Sequence, residues 1–195
     1  MIIWLASYPK SGNTWLRALL TSYYYSNNGE FNFNLLPKIY GFPARRYFKV
    51  YNDNLVNVTD TSKYWIDAQK KINFDNKLRL FKTHNALGSI NNNNFTDRDN
   101  TCGCIYIVRD PRNVITSVKN YFEKNYEEAL QFLLDEKAIL SEKVENKYVN
   151  FNFLGSWQNH YKSWLNNKLF PTLLIKYEDL ENKALFILEE VQDFI

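Results

Sequence analysis

The chain has 195 residues, enough to bury one substantial core, and a formal net charge of +3, which is too small to argue for nucleic acid but suits an anionic ligand. Two cysteines and two histidines form no set with metal-ligand spacing, so neither a metal site nor a disulfide framework is expected. The N-terminus has no basic region and its apolar run is too short for a signal peptide or a membrane span, which makes the cytoplasm the expected compartment.

The first apolar run, residues 2–6, reads as a buried strand. It leads into Ser7-Tyr8-Pro9-Lys10-Ser11-Gly12-Asn13-Thr14-Trp15 and then a helical pattern over 14–25. Strand, small-residue loop and helix build a pocket for a phosphate group. Free N–H groups at a helix N-terminus point at the anion, and the helix dipole favours negative charge there. Gly12 allows close backbone approach, Lys10 supplies a point charge, and Ser11 and Thr14 supply hydroxyl donors. The lysine precedes the glycine and Pro9 stands upstream, so this is not the ordinary G-x-x-x-x-G-K-[ST] loop.

From Gly29 to Lys77 the periodicity is weak and the segment reads as irregular, with a helix near 61–72. A second strand at 78–81 runs into Lys82-Thr83-His84, and residues 85–101 read as a polar loop. Cys102 and Cys104, spaced as same-face neighbours on a strand, read as small reduced core residues beginning a third strand at 104–108. Arg109 ends that strand, where its planar guanidinium matches phosphate oxygens; the alternative is a pair with Asp110 or a cap on a neighbouring helix. Asp110 and Pro111 suit the start of a helix over 111–123, from which Ser117 could share the same anion. Further helices are expected at 126–140, 154–167 and 179–194, with Asp179 capping the last. A fourth strand at 172–175 precedes Lys176-Tyr177-Glu178-Asp179, where Tyr177 could contact a base. His160, at helical spacing from Trp157 and Trp164, reads as structural.

Apolar strands alternating with helices predict an α/β layered fold with a central, mostly parallel sheet and helices on both faces. Ligands of such sheets sit outside the carboxyl ends of the strands, which puts Lys82, His84 and Arg109 on the same edge as the loop at 7–15. No repeat or internal boundary is visible, so residues 1–195 are expected to form a single domain.

Together these stretches resemble the sulfotransferases that use 3′-phosphoadenosine 5′-phosphosulfate (PAPS). The family's Y-P-K-S-G-T-T-W loop stands here as Tyr8-Pro9-Lys10-Ser11-Gly12-Asn13-Thr14-Trp15, with Asn13 the one departure. Its K-T-H segment is Lys82-Thr83-His84, its Arg with a Ser eight positions later is Arg109 with Ser117, and its Y-E-D segment is Tyr177-Glu178-Asp179. The resemblance implies a P-loop nucleotide-kinase-like fold. It also implies transfer of a sulfuryl group from PAPS to an acceptor hydroxyl or amine, leaving adenosine 3′,5′-bisphosphate (PAP).

In that scheme His84 is the general base, Lys10 stabilises the leaving phosphate and Lys82 contacts the sulfuryl oxygens. The loop from Lys10 to Trp15 holds the 5′-phosphosulfate, with Trp15 stacked on adenine; Arg109 and Ser117 hold the 3′-phosphate. No metal is required. The acceptor would be a small molecule or glycan; Tyr40, Phe42, Tyr47, Phe48 and Trp65 in the irregular aromatic region are candidates to line its pocket, with ordinary packing the favoured reading of each. Arg45, Arg46 and Lys49 either favour an acidic or sugar acceptor or face solvent.

The family pattern continues to an R-K-G-x-x-G-D-W segment over the nucleotide, and no Arg-Lys-Gly occurs in these 195 residues. The expectation is a C-terminally short domain with weakened donor binding, open to self-association. Two alternatives stand beside the enzyme: a non-catalytic PAPS- or PAP-binding remnant, and a P-loop kinase or NTPase, which the position of the lysine disfavours.

Overall fold

A computed structural model describes residues 1–52, 54–144 and 147–195; Asp53, inside the stretch expected to be irregular, lies outside them. The first half of the chain runs through β1 (Ile2–Ser7), α1 (Asn13–Tyr25), β2 (Tyr40–Gly41), α2 (Val58–Ser62), α3 (Trp65–Ile72) and β3 (Arg79–Thr83). Then come β4 (Ser89–Ile90), β5 (Asn93–Asn94), β6 (Thr101–Val108), α4 (Pro111–Tyr121), α5 (Tyr126–Leu134), β7 (Ile139–Val144) and β8 (Lys147–Phe153). The chain closes with α6 (Trp157–Leu165), β9 (Thr172–Lys176), α7 (Tyr177–Asn182) and α8 (Ala184–Phe194).

β1 is buried along its whole length because it is the middle strand of a five-stranded sheet ordered β2-β3-β1-β6-β9. Every pairing in that sheet is parallel. Alternate residues of β1 serve two different cores, as a period of two requires. Ile2, Trp4 and Ala6 pack with Trp65, Phe81, Phe95, Tyr106 and Trp164 on one face. Ile3 and Leu5 pack with Leu16, Leu20, Ile105, Ile187 and Val191 on the other. Helices α1, α7 and α8 cover the second face, and α3 and α6 contribute to the first. The Trp4 indole N–H, with no water to reach, donates to Thr101 Oγ1 at 2.8 Å.

Local chemistry sets several helix starts. Asn57 with Asp60 and Asn125 with Glu128 form reciprocal capping boxes, and Ser156 accepts from the Asn159 N–H. Asp110 accepts from the Arg112 N–H with Pro111 in the first turn, as expected. Asp179 does not cap: α7 already begins at Tyr177, and Lys183 divides the anticipated 179–194 helix into α7 and α8. The anticipated helix 126–140 stops at Leu134, and the 85–101 loop contains the small β4–β5 hairpin.

Two further corrections concern strands. Cys102 and Cys104 do not share a face. A register shift between Ile2 and Ile3 leaves Cys102 without a partner residue on β1, so it packs with the second core while Cys104 packs with the first. Both thiols are free. The antiparallel β7–β8 hairpin falls where no strand was expected, and a bridge between Asn150 and Ala44 ties it to the segment after β2.

Trp164 on α6 is fully buried, and its indole N–H donates to the Asn85 carbonyl at 3.0 Å, next to His84. Trp164→Ala should cost about 3–5 kcal/mol, read as a fall in the urea midpoint at unchanged slope. A loss below about 1 kcal/mol would contradict this packing.

Candidate active site

The loop between β1 and α1 is held by the side chain of Asn13. It is buried, and its amide donates to the Leu5 carbonyl at 2.9 Å and to Ser7 Oγ at 3.2 Å, tying the start of α1 to the end of β1. Asn13 nonetheless lines the cavity, and its side-chain Oδ1 is buried without a partner. Lys10 and Gly12 carry the reversal at positive φ, 67° and 100°. Gly12 has a second reason to be glycine: a Cβ there would lie 2.5 Å from the Tyr177 ring. The close approach expected of a ligand is made first by Tyr177.

The N-terminus of α1 has no side-chain cap and no acidic residue in its first turn. Its first helical bond runs from the Leu16 N–H to the Gly12 carbonyl, so the N–H groups of Asn13, Thr14 and Trp15 find no acceptor within the helix. Cations gather in front of them. Arg109 Nη1 donates to the Lys10 carbonyl at 3.1 Å, and its guanidinium lies 4.0 Å from the Tyr177 ring centre. Its Nε is buried without a partner. Asp110 pairs with Arg112, which speaks against the Arg109–Asp110 branch of the alternative. Lys10 Nζ sits 3.8 Å over Tyr121, and its pKa is lowered by burial and then by Arg109. Trp15 meets Tyr177 edge-on at 5.8 Å between ring centres. Uncapped N–H groups, two cations and an orphaned guanidinium nitrogen fit an anionic phosphosulfate.

His84 comes from the end of β3, the neighbour of β1. Its Nδ1 lies 2.8 Å from the Ser7 carbonyl oxygen, which can only accept. Nδ1 therefore carries the proton, and Nε2 keeps its lone pair. The backbone of His84 is fixed as well. Its N–H donates to Asn152 Oδ1 at 3.4 Å, and its carbonyl accepts from His160 Nε2 at 3.0 Å. His160 is thus the opposite tautomer, its Nδ1 accepting from the Tyr106 hydroxyl at 2.8 Å. Burial first, and Lys82 second, hold the His84 pKa well below 6.5. Lys82 is itself lowered to about 8, by burial and by Arg17, against an opposing pull from Glu142.

The structure brings Lys10, Gly12, Asn13, Thr14 and Trp15 to one open cavity of about 680 Å³, which Lys82, His84, Arg109, Ser117 and Tyr177 also line. Ser11 does not line it: the residue is 1% exposed and its Oγ is buried without a partner. Of the aromatic candidates for an acceptor wall, three take the packing role that was the favoured reading. Phe42, Phe48 and Trp65 are core residues, and neither Tyr40 nor Tyr47 reaches this cavity. Its aromatic lining is Trp15, Phe31, Phe33, Tyr121, Phe122 and Tyr177. Sequence reasoning missed Arg17 and Glu142. Glu142 lies on β7, and the alternation Val149-Asn150-Phe151-Asn152-Phe153 was the signal that could have revealed that hairpin. Among the described residues, no group of three His, Cys, Asp or Glu side chains could hold a metal ion, and no helix is long and apolar enough to cross a membrane.

Comparison with known proteins agrees with this geometry. The family model of the sulfotransferase domain matches residues 2–195. The chain is 26% identical over 185 residues to Sulfotransferase 1E1 of Rattus norvegicus, covering 91% of this chain and 52% of that protein. It is 22% identical over 194 residues to Sulfotransferase 1 family member D1 of Mus musculus, covering 99% and 58%. The chain thus spans about half the length of the curated relatives it matches. Among solved structures, mouse sulfotransferase SULT7A1 complexed with PAP superposes with a TM-score of 0.52 at 20% identity, covering 98% of this chain and 56% of that one. Retinol dehydratase in complex with retinol and PAP superposes with a TM-score of 0.54 at 17% identity, covering 99% and 59%. These two likenesses concern the fold; the family model, which spans nearly the whole sequence, shows that the chain belongs to the sulfotransferase domain family.

Proposed function

We propose that this chain is the donor-binding and catalytic part of a sulfotransferase that moves a sulfuryl group from PAPS to an acceptor hydroxyl or amine. One observation carries the reading: an imidazole held with its basic Nε2 free lines the same cavity as an uncapped helix N-terminus flanked by Lys10 and Arg109. The loop after the middle strand, with order β2-β3-β1-β6-β9, supports the P-loop nucleotide-kinase-like arrangement. Residues 1–195 are read as one such domain, and its two free thiols suit the reducing cytoplasm.

PAPS, when bound, supplies a sulfuryl group already attached to a good phosphate leaving group. His84 Nε2 accepts the proton of the acceptor while the acceptor oxygen bonds to sulfur. Lys10 and the first-turn N–H groups of α1 stabilise the charge that builds on the departing phosphate oxygen as its bond to sulfur breaks. Lys82 faces the sulfuryl oxygens, Arg109 and Ser117 hold the 3′-phosphate, and Trp15 and Tyr177 face the adenine. A base with so low a pKa is weak, but the bound donor is an anion, and an anion beside an imidazole raises its pKa toward the working range.

Thermal shift separates this reading from a kinase or NTPase: PAP should stabilise the chain and ATP with magnesium should not. Stabilisation by ATP–magnesium alone would overturn it. With sulfate-labelled PAPS and a panel of phenols and alcohols, His84→Ala should lower kcat by about 10²–10⁴-fold while PAP binding persists. Equal turnover by both proteins would remove His84 from the mechanism. Donor binding without turnover by the unaltered chain would leave a binding remnant.

The pH profile follows from the two shifts. In the free protein His84 is lowered, so the acid limb of kcat/KM lies below about pH 6.5, while the limb of kcat, set with the donor anion bound, lies higher. Lys82 is lowered to about 8, so its ammonium, and with it the rate, is lost as pH rises through about 8. Lys82→Arg, whose guanidinium keeps its proton, should move the alkaline limb upward. An unmoved alkaline limb would show that Lys82 is not the titrating group.

A further inference from the structure

Beyond Lys82 the donor cavity opens into a second trough of about 760 Å³, bounded by the segment after β2 and by the β7–β8 hairpin. The two share Arg17, Lys82 and Glu142. Because Lys82 stands between them, a molecule in the second trough can present a hydroxyl to the sulfuryl group and to His84. The lining is unusual in its charge. Arg17, Arg46, Lys49 and Lys82 face it, and Glu142 is the carboxylate among the described lining residues.

Among the described residues none of those four cations has a carboxylate within ion-pairing distance. Arg17 donates to the carbonyls of Leu36 and Ile39 at 2.7 and 3.1 Å, which fixes its guanidinium without neutralising it, and its Nε is buried with no partner. Arg46 stacks on Tyr40 and Tyr47 at 4.3 and 4.9 Å, again held by neutral groups. The stem of Lys82 runs beside Gly41, 3.8 Å from where a Cβ would stand, so its ammonium reaches the junction of the two cavities. Glu142 is engaged by the Asn150 amide. Arg17 and Lys82 are half-buried like charges beside one another, only partly offset by Glu142, and an anion arriving from solution offsets that cost further; Arg46 and Lys49 stand exposed, free to meet the same anion.

From this we infer that the acceptor is itself an anion: a hydroxyl compound carrying carboxylate or sulfate groups, seated on Arg17, Arg46 and Lys49 with its hydroxyl at Lys82 and His84. The inference rests on the sulfotransferase reading for the transfer step. In that step the acceptor O–H loses its proton to His84, its oxygen forms the new bond to sulfur, and the sulfur–oxygen bond to the donor's phosphate breaks. The binding claim stands on the trough alone.

The test uses two matched pairs with the unaltered chain. One pair is a glucuronate-containing oligosaccharide and its carboxyl-reduced counterpart. The other is 4-hydroxyphenylacetate and 4-hydroxyphenylacetamide. Affinity is measured by calorimetry with PAP present, and PAP affinity is measured separately. The acid of at least one pair should bind about tenfold or more tightly than its neutral partner, the equivalent of one charge-assisted hydrogen bond. That preference should fall as salt rises and be lost in Arg46→Gln/Lys49→Gln. Which pair shows it separates a glycan from a small acid. Equal affinity within both pairs, binding of none of the four compounds, or a preference that survives the double substitution overturns the inference. Absence of PAP binding overturns the donor reading instead, whatever the acids do.

Discussion

The hydrogen bond from His84 Nδ1 to the Ser7 carbonyl is the constraint on which the site depends. It joins the carboxyl ends of two adjacent parallel strands, one bearing the anion loop and the other the imidazole. A carbonyl accepts and never donates, so this one contact fixes where the proton sits on the ring and which nitrogen is left basic. Asn13 reinforces the same corner by fastening α1 to Leu5 and Ser7. His160, Asn152 and Trp164 hold the backbone on either side of the imidazole. The site is thereby built on the core, with little left to loop conformation.

Charge is the second organising element. Cations meet at both ends of the cavity with few carboxylates among them: Lys10 and Arg109 at the helix N-terminus, and Arg17 with Lys82 toward the second trough. Desolvation and mutual repulsion lower the pKa values of Lys10 and Lys82. Such an arrangement strains the free protein and favours ligands that bring negative charge, by the same physics at both ends of the cavity.

Much of the site was legible in sequence because each of its segments carries a local signal, and a parallel sheet brings its strand ends to one edge even where the contacts between them are long-range. A glycine with a lysine two positions before it, set between an apolar run and a helix, announces an anion site, and a strand-end lysine and histidine announce themselves by position. The parallel sheet was legible from four apolar runs for the same reason. What escaped depends on tertiary neighbours. Asn13 lines the cavity as expected, while its side-chain tie to Leu5 and Ser7 could not be read from sequence; Ser11 looked like a donor and is buried. Phe42, Phe48 and Trp65, whose favoured sequence reading was packing, are core, because the first sheet face needs large apolar volume. The bulge at Cys102 separates two cysteines that spacing alone puts on one face. The β7–β8 hairpin, though periodic, follows a helical pattern that masked it, and Glu142 went unnoticed with it.

The imidazole constraint can be read directly by long-range ¹H–¹⁵N correlation spectroscopy on protein labelled at its two histidines. The account predicts two neutral rings of opposite tautomer at pH 7: His84 protonated at Nδ1 and His160 at Nε2. A charged His84 at that pH, or a His84 proton on Nε2, would contradict it.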